Sequence, residues 1–174
     1  REMIEALALS HVLPHDTLPV EECLGRRLAV DVLSLIPLPP FTNSAMDGFA
    51  VCRDDLEGEG PWTLPVAGDI PAGDTRENRL ERGQAWRIMT GAPIPEGADT
   101  VVKVEDTDHA AGIAQAPDTV EIRVAPKRGT NVRVAGEALE AGSPVLEAGR
   151  ILDGTALSAA ASVGHGSLTV LPRP

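Results

Sequence analysis

The chain has 174 residues, a length that allows one ordinary domain or two small ones with a sizeable core either way. Lys and Arg number 15 against 26 Asp and Glu, a net charge of −11, and so acidic a surface repels phosphate backbones and anionic lipid. The expectation is no nucleic-acid partner and no membrane partner. Aromatics at 2% offer no stacking platform for bases or sugars.

No apolar run reaches the length of a membrane span. The opening Arg1-Glu2-Met3-Ile4 lacks a basic-then-apolar export pattern. The two cysteines, Cys23 and Cys52, cannot build a disulfide framework, so reduced thiols in a cytoplasmic protein are expected.

In chain order, Glu2 to Leu13 reads as a helix that Pro14 stops. A loop is expected through Pro19, then a short helix over Val20 to Leu28, which Gly25 weakens. Leu28 to Ile36 is β-branched and reads as a strand, and Pro37 to Phe41 as irregular, extended chain. From Ala50 the pattern becomes short apolar runs between Gly, Pro, Asp and Asn. It predicts strands at Phe49 to Cys52, Thr63 to Ala67, Gln84 to Met89, Thr100 to Val104 and Thr119 to Val124, a small β domain. After Pro126, Leu-Glu-Ala-Gly occurs at 139–142 and again at 146–149, read as two turns flanking a strand. Asp153 to Val163 reads as a helix capped by Asp153 and ended by Gly164, and Ser167 to Leu171 as a last strand.

Three tightly turned polar stretches stand out. In Asn43-Ser44-Ala45-Met46-Asp47-Gly48, an Asp before Gly can present a carboxylate on a fixed backbone, to hold a cation or position water, or the stretch is simply an Asx turn. In Arg87 to Asp99, an apolar strand runs into Thr90-Gly91, a hydroxyl and an amide suited to gripping an anionic oxygen, or a rigid connection between strands. In Asn131 to Ala138, Arg133 and Glu137 flank a Gly turn. Arg133 can fork onto phosphate or a molybdate-like oxyanion, or the two form a surface ion pair. His11 and His15 are separated by Pro14, which breaks the face metal binding needs, and His109 and His165 read as solvated loop residues.

These stretches carry a resemblance. Pro39-Pro40-Phe41-Thr42-Asn43-Ser44-Ala45-Met46-Asp47-Gly48-Phe49-Ala50-Val51 resembles the motif P-x-F-D-N-S-A-M-D-G-Y-A-V of the molybdopterin molybdenumtransferase family, which includes bacterial MoeA and the gephyrin E domain. Arg87 to Asp99, continued by Thr100-Val101-Val102 and Glu105, resembles its second motif, and Asn131-Val132-Arg133 with Gly136-Glu137 its third.

The resemblance implies a mainly β, α+β fold: an elongated, discontinuous dimerisation domain, 1–50 plus 131–174, with a small β domain, 51–130, inserted in it. A cofactor-binding α/β domain would follow residue 174. It implies insertion of molybdenum from molybdate into adenylylated molybdopterin, releasing AMP, with Mg2+ or another divalent cation, in a homodimer that also meets the upstream molybdopterin adenylyltransferase. This chain alone would be inactive. By the same resemblance Asp47 and Thr90 are catalytic, Asp47 also the metal ligand, and Asn43, Ser44, Gly91, Arg133 and Glu137 bind substrate or cofactor. Thr42 and Phe49 depart from the motif's Asp and Tyr, and Ala138 stands where the third motif ends in Asp. That last change motivates the alternative, a non-catalytic, gephyrin-like scaffold.

Overall fold

The structure is a computed structural model that describes residues 15–110, 112 and 115–173; the helix expected over Glu2 to Leu13 lies outside them. The strands are β1 (Asp16–Pro19), β2 (Val32–Leu33), β3 (Asn43–Ser44), β4 (Gly48–Val51), β5 (Trp62–Ile70), β6 (Ala85–Ile88), β7 (Thr100–Lys103), β8 (Thr119–Ile122), β9 (Val132–Arg133), β10 (Pro144–Leu146) and β11 (Ser167–Val170). Helix α1 spans Gly154–Ser162. The fold is mainly β with little helix, of the α+β kind the sequence implies. No helix among the described residues is long and apolar enough to cross a membrane.

The chain forms two compact units, one from the chain up to Leu38 and from Ala138 onward, the other from Pro39 to Glu137. Residues 39–50 and 131–137 therefore fold with the inserted β unit. The reason is local pairing: β3 lies antiparallel to β9, with Asn43 opposite Arg133 and Ser44 opposite Val132.

In the discontinuous unit, β1 pairs with β11 and β2 with β10, both antiparallel. Leu28, Val32, Leu146, Leu152, Leu168 and Val170 pack against Ala156 and Ala160 of α1. Asp153 caps that helix as expected, its Oδ1 accepting from Ala156 N at 2.8 Å. The two Leu-Glu-Ala-Gly copies do flank β10, and Gly142 and Gly149 both take left-handed φ of 84° in their turns.

Three expectations change. The helix over Val20 to Leu28 shrinks to a single 3-10 turn, Val20–Glu22. Gly25 turns left-handed with φ 73°, and its amide bonds instead to Leu152 O. The strand over Leu28 to Ile36 is regular only at β2, because successive residues bond to different segments: Leu28 N to Arg150 O, Ser34 N to Ser143 O and Leu35 N to Val163 O. The loop before Val20 contains β1, whose partner is at the far end of the chain.

The inserted unit is built on a five-stranded sheet in the order β7-β4-β6-β5-β8. Strand β4 runs antiparallel to both β6 and β7, β5 is parallel to β6, and β8 is antiparallel to β5. Both faces are covered, so Gly48, Phe49, Ala50 and Val51 are all buried. Phe49, Val51, Val102 and Ile122 belong to one apolar cluster, and Ala50, Ile70, Ile88 and Val101 to another. His109 is not a loose loop residue: its Nε2 lies 3.0 Å from Thr119 O and its ring 5.9 Å from that of Phe49. His165 Nε2 lies 2.8 Å from Leu33 O.

Gly48 is required by close approach. A Cβ there would sit 1.9 Å from Val102 O and 2.9 Å from Lys103 Cα, both backbone atoms of the neighbouring strand. Gly48→Ala should destabilise the inserted unit by about 1–3 kcal/mol or more, as overpacking does. Asp153→Ala should cost the other unit about 1 kcal/mol, chiefly through the lost cap, since its other partner is a long, exposed ion pair to Arg150. Urea unfolding followed residue by residue by NMR checks both, and each loss should fall in its own unit.

Candidate functional site

The site is assembled where the chain enters β4 and leaves β6. Ser44 is fully buried; its Oγ donates to Met46 O at 2.6 Å and accepts from Met46 N at 3.3 Å, closing a hydroxyl-mediated turn. Asn43 is buried too, and its Nδ2 donates to Phe41 O at 3.1 Å. This turn is laced to the one that ends β6: Gly91 N donates to Ser44 O at 2.8 Å and Ser44 N to Ala92 O at 3.0 Å. Gly91 can do so because it adopts φ 81°. From the other side, Ala45 N donates to Asn131 O at 2.9 Å. Asn131 is itself left-handed at φ 59° and is held by its Nδ2 bond to Val101 O.

The consequence is that Asp47 and Thr90, both exposed, meet. Asp47 Oδ1 accepts from Thr90 N at 2.7 Å and from Thr90 Oγ1 at 2.6 Å. The Thr90 hydroxyl, then its amide, hold the Asp47 carboxyl below its ordinary range; partial burial opposes them and the charge of Arg87 assists. Both donors reach the same oxygen, which leaves Oδ2 open among the described residues.

The remaining expected site residues are placed less directly. The β3–β9 ladder puts Arg133 opposite Asn43, on the strand that leads to Asp47, and no described residue hydrogen-bonds or ion-pairs with its guanidinium. Glu137 does not pair with Arg133. Its Oε2 accepts from Val134 N at 3.1 Å and closes the intervening turn. Asn43 and Ser44 direct their side chains to carbonyls of their own loop and so shape it. Ala138 belongs to the other unit, where its amide donates to Leu38 O at 3.0 Å.

Arg87 was not among the expected site residues. It is 7% exposed, it ion-pairs with Asp69 at 2.8 Å, and it lines a hollow shared with Asp47, Phe49, Met89 and Val104. The signal was legible: a lone cation inside the apolar run Ala85-Trp86-Arg87-Ile88-Met89. No group of three or more His, Cys, Asp or Glu side chains gathers for a metal among the described residues.

The family described as the MoeA N-terminal region (domain I and II) matches residues 1–164. The chain belongs to that family. Molybdopterin molybdenumtransferase 2 of Mycobacterium tuberculosis (strain H37Rv) is 44% identical over 160 residues, 90% of this chain and 38% of that protein. The molybdopterin molybdenumtransferase of Staphylococcus epidermidis (strain RP62A) is 33% identical over 178 residues, 100% of this chain and 41% of the relative. The crystal structure of the molybdopterin biosynthesis MoeA protein from Pyrococcus horikosii superposes with a TM-score of 0.84 at 29% identity, over 99% of this chain and 44% of that one. The chain thus spans less than half the length of these MoeA-type relatives.

Because Thr90 holds the carboxylate through two separate donors, their effects can be parted. Thr90→Val removes the hydroxyl and keeps the amide, so the Asp47 carboxyl should titrate at higher pH than in the native chain while remaining below its ordinary range. A carboxyl depressed on folding contributes stability above its ordinary pKa and loses it as pH falls through the folded value. The variant should therefore lose stability relative to the native chain above that range, and the difference should vanish in acid. Carboxyl 13C NMR against pH, with thermal melts at matching pH, tests both statements.

Proposed function

We propose that this chain is the N-terminal part of a molybdopterin molybdenumtransferase, which inserts molybdenum from molybdate into adenylylated molybdopterin and releases AMP. The observation that carries the proposal is the Asp47–Thr90 pair. The two residues, in separate motifs, are brought onto one carboxylate oxygen at an exposed edge. The names of the relatives support the same chemistry.

In this reading Asp47 orients the reacting anions, and Thr90 keeps its carboxylate ionised and in a fixed rotamer. The donor set suits a divalent cation in one limited way. A single exposed carboxylate with an open oxygen matches Mg2+, which takes one or two carboxylates and completes its shell with water and substrate oxygens. Asp47 Oδ2 would hold that cation, whose charge would offset the phosphate and molybdate oxygens. Arg133, whose guanidinium meets no partner among the described residues, offers a planar fork to an oxyanion. The longer protein would supply a cofactor-binding domain, act as a homodimer and receive its substrate from the molybdopterin adenylyltransferase, so this chain alone would not turn over.

Ala138 favours a second reading, a gephyrin-like scaffold, since a methyl can neither bind metal nor accept a hydrogen bond. Assay of molybdate insertion by the full-length protein separates the two. For the enzyme, Asp47→Asn should lower kcat/KM by about 100-fold or more and Thr90→Val by about 10-fold. Unimpaired variants remove the site assignment, and native full-length protein without turnover favours the scaffold.

A further inference from the structure

A buried guanidinium is costly unless its charge is matched. Arg87 sits at the centre of the five-stranded sheet, opposite Phe49 on one side and Asp69 on the other. Directly opposed residues share a face, and Asp47 lies two residues before Phe49, one pleat repeat along. Asp69 of β5 and Arg87 of β6 thus lie side by side, and Asp47 stands just before β4, the strand next to β6. Asp69 supplies a counter-charge to Arg87, at 2.8 Å from Nη1. Asp69 is itself more than a third exposed, so water already screens part of that pair. Arg87 and Asp47 line the same hollow, and the charge of Arg87 favours the ionised Asp47 carboxylate.

We propose that Arg87, tethered by Asp69, is a positioning residue that balances the charge of Asp47 so that an oxyanion can approach the carboxylate. This rests on the function proposed above, where the substrate is anionic and the group that meets it is a carboxylate. A bare carboxylate would repel molybdate or phosphate; a cation set behind it lowers that repulsion without occupying the exposed face. Asp69 sets the strength of the effect because it withdraws part of the charge of Arg87.

A clip that merely joined β5 to β6 would break in the same way whichever partner were removed. Charge balance makes the two removals act in opposite directions. The probe is Mn2+ alone, added to the full chain and followed by paramagnetic broadening of the Thr90 amide signal, with the amide spectrum reporting the fold of each variant. Arg87→Gln, whose amide can still donate to Asp69, should tighten Mn2+ binding about threefold. Asp69→Asn removes the counter-charge at Nη1 and should weaken binding about twofold. Arg87→Lys should stay near the native value. In full-length protein Arg87→Gln should raise KM for molybdate more than it lowers kcat. Should both variants shift Mn2+ binding the same way, or neither shift it, Arg87 is only structural; if Arg87→Gln does not fold, Asp69→Asn and Arg87→Lys still decide. Opposed Mn2+ shifts with no molybdate effect would uphold the charge balance and count against the enzyme reading instead.

Discussion

Two donors from one residue converge on one carboxylate oxygen, and most of the inserted unit exists to let them. Asp47 reaches Thr90 only because Gly48 lets β4 press against the carbonyl of Val102 and because Gly91 bends left-handed to bond Ser44. The Ser44 and Asn43 side chains then hold the approach to Asp47 by bonding inward. Residues expected to touch substrate thus divide in two. Asp47, Thr90 and Arg133 are exposed, and Asn43, Ser44, Gly91 and Glu137 make bonds that hold the turns around them.

The strands of the five-stranded sheet were legible because each holds a short apolar run fenced by Gly, Pro or Asp. Phe49 to Cys52 differs from β4 by one residue, and Thr100 to Val104 exceeds β7 by one. The helix near the C-terminus was legible from a cap with a local partner, Asp153. What could not be read was set by distant partners. β1 is four residues ending in Pro19, and nothing near it announces a ladder to Ser167–Val170. The segment after Leu28 has strand chemistry but changes neighbours too often to form one long strand. β3 and β9 are two residues each and exist only as a pair.

At the site, residue chemistry alone left Asp47 and Thr90 between function and ordinary turn. The motif resemblance placed them together, and the hydrogen bonds give that proximity a physical form. Arg87 was passed over because it stood next to the conspicuous Thr90-Gly91 turn, although a cation in an apolar strand is the more unusual feature.

The order in which the backbone visits its two units bears on how it is synthesised. The inserted unit is one uninterrupted stretch from Pro39 to Glu137, whereas its host needs residues from both flanks, down to the pairing of Asp16 with Val170. On the ribosome the insert can finish folding while the host is still half made. Leu38 and Ala138, bonded through the amide of Ala138, mark where the host closes over the gap. The host thus carries the long-range, slow-forming contacts of this protein, and the insert, with its own continuous stretch of chain, arrives ready-made.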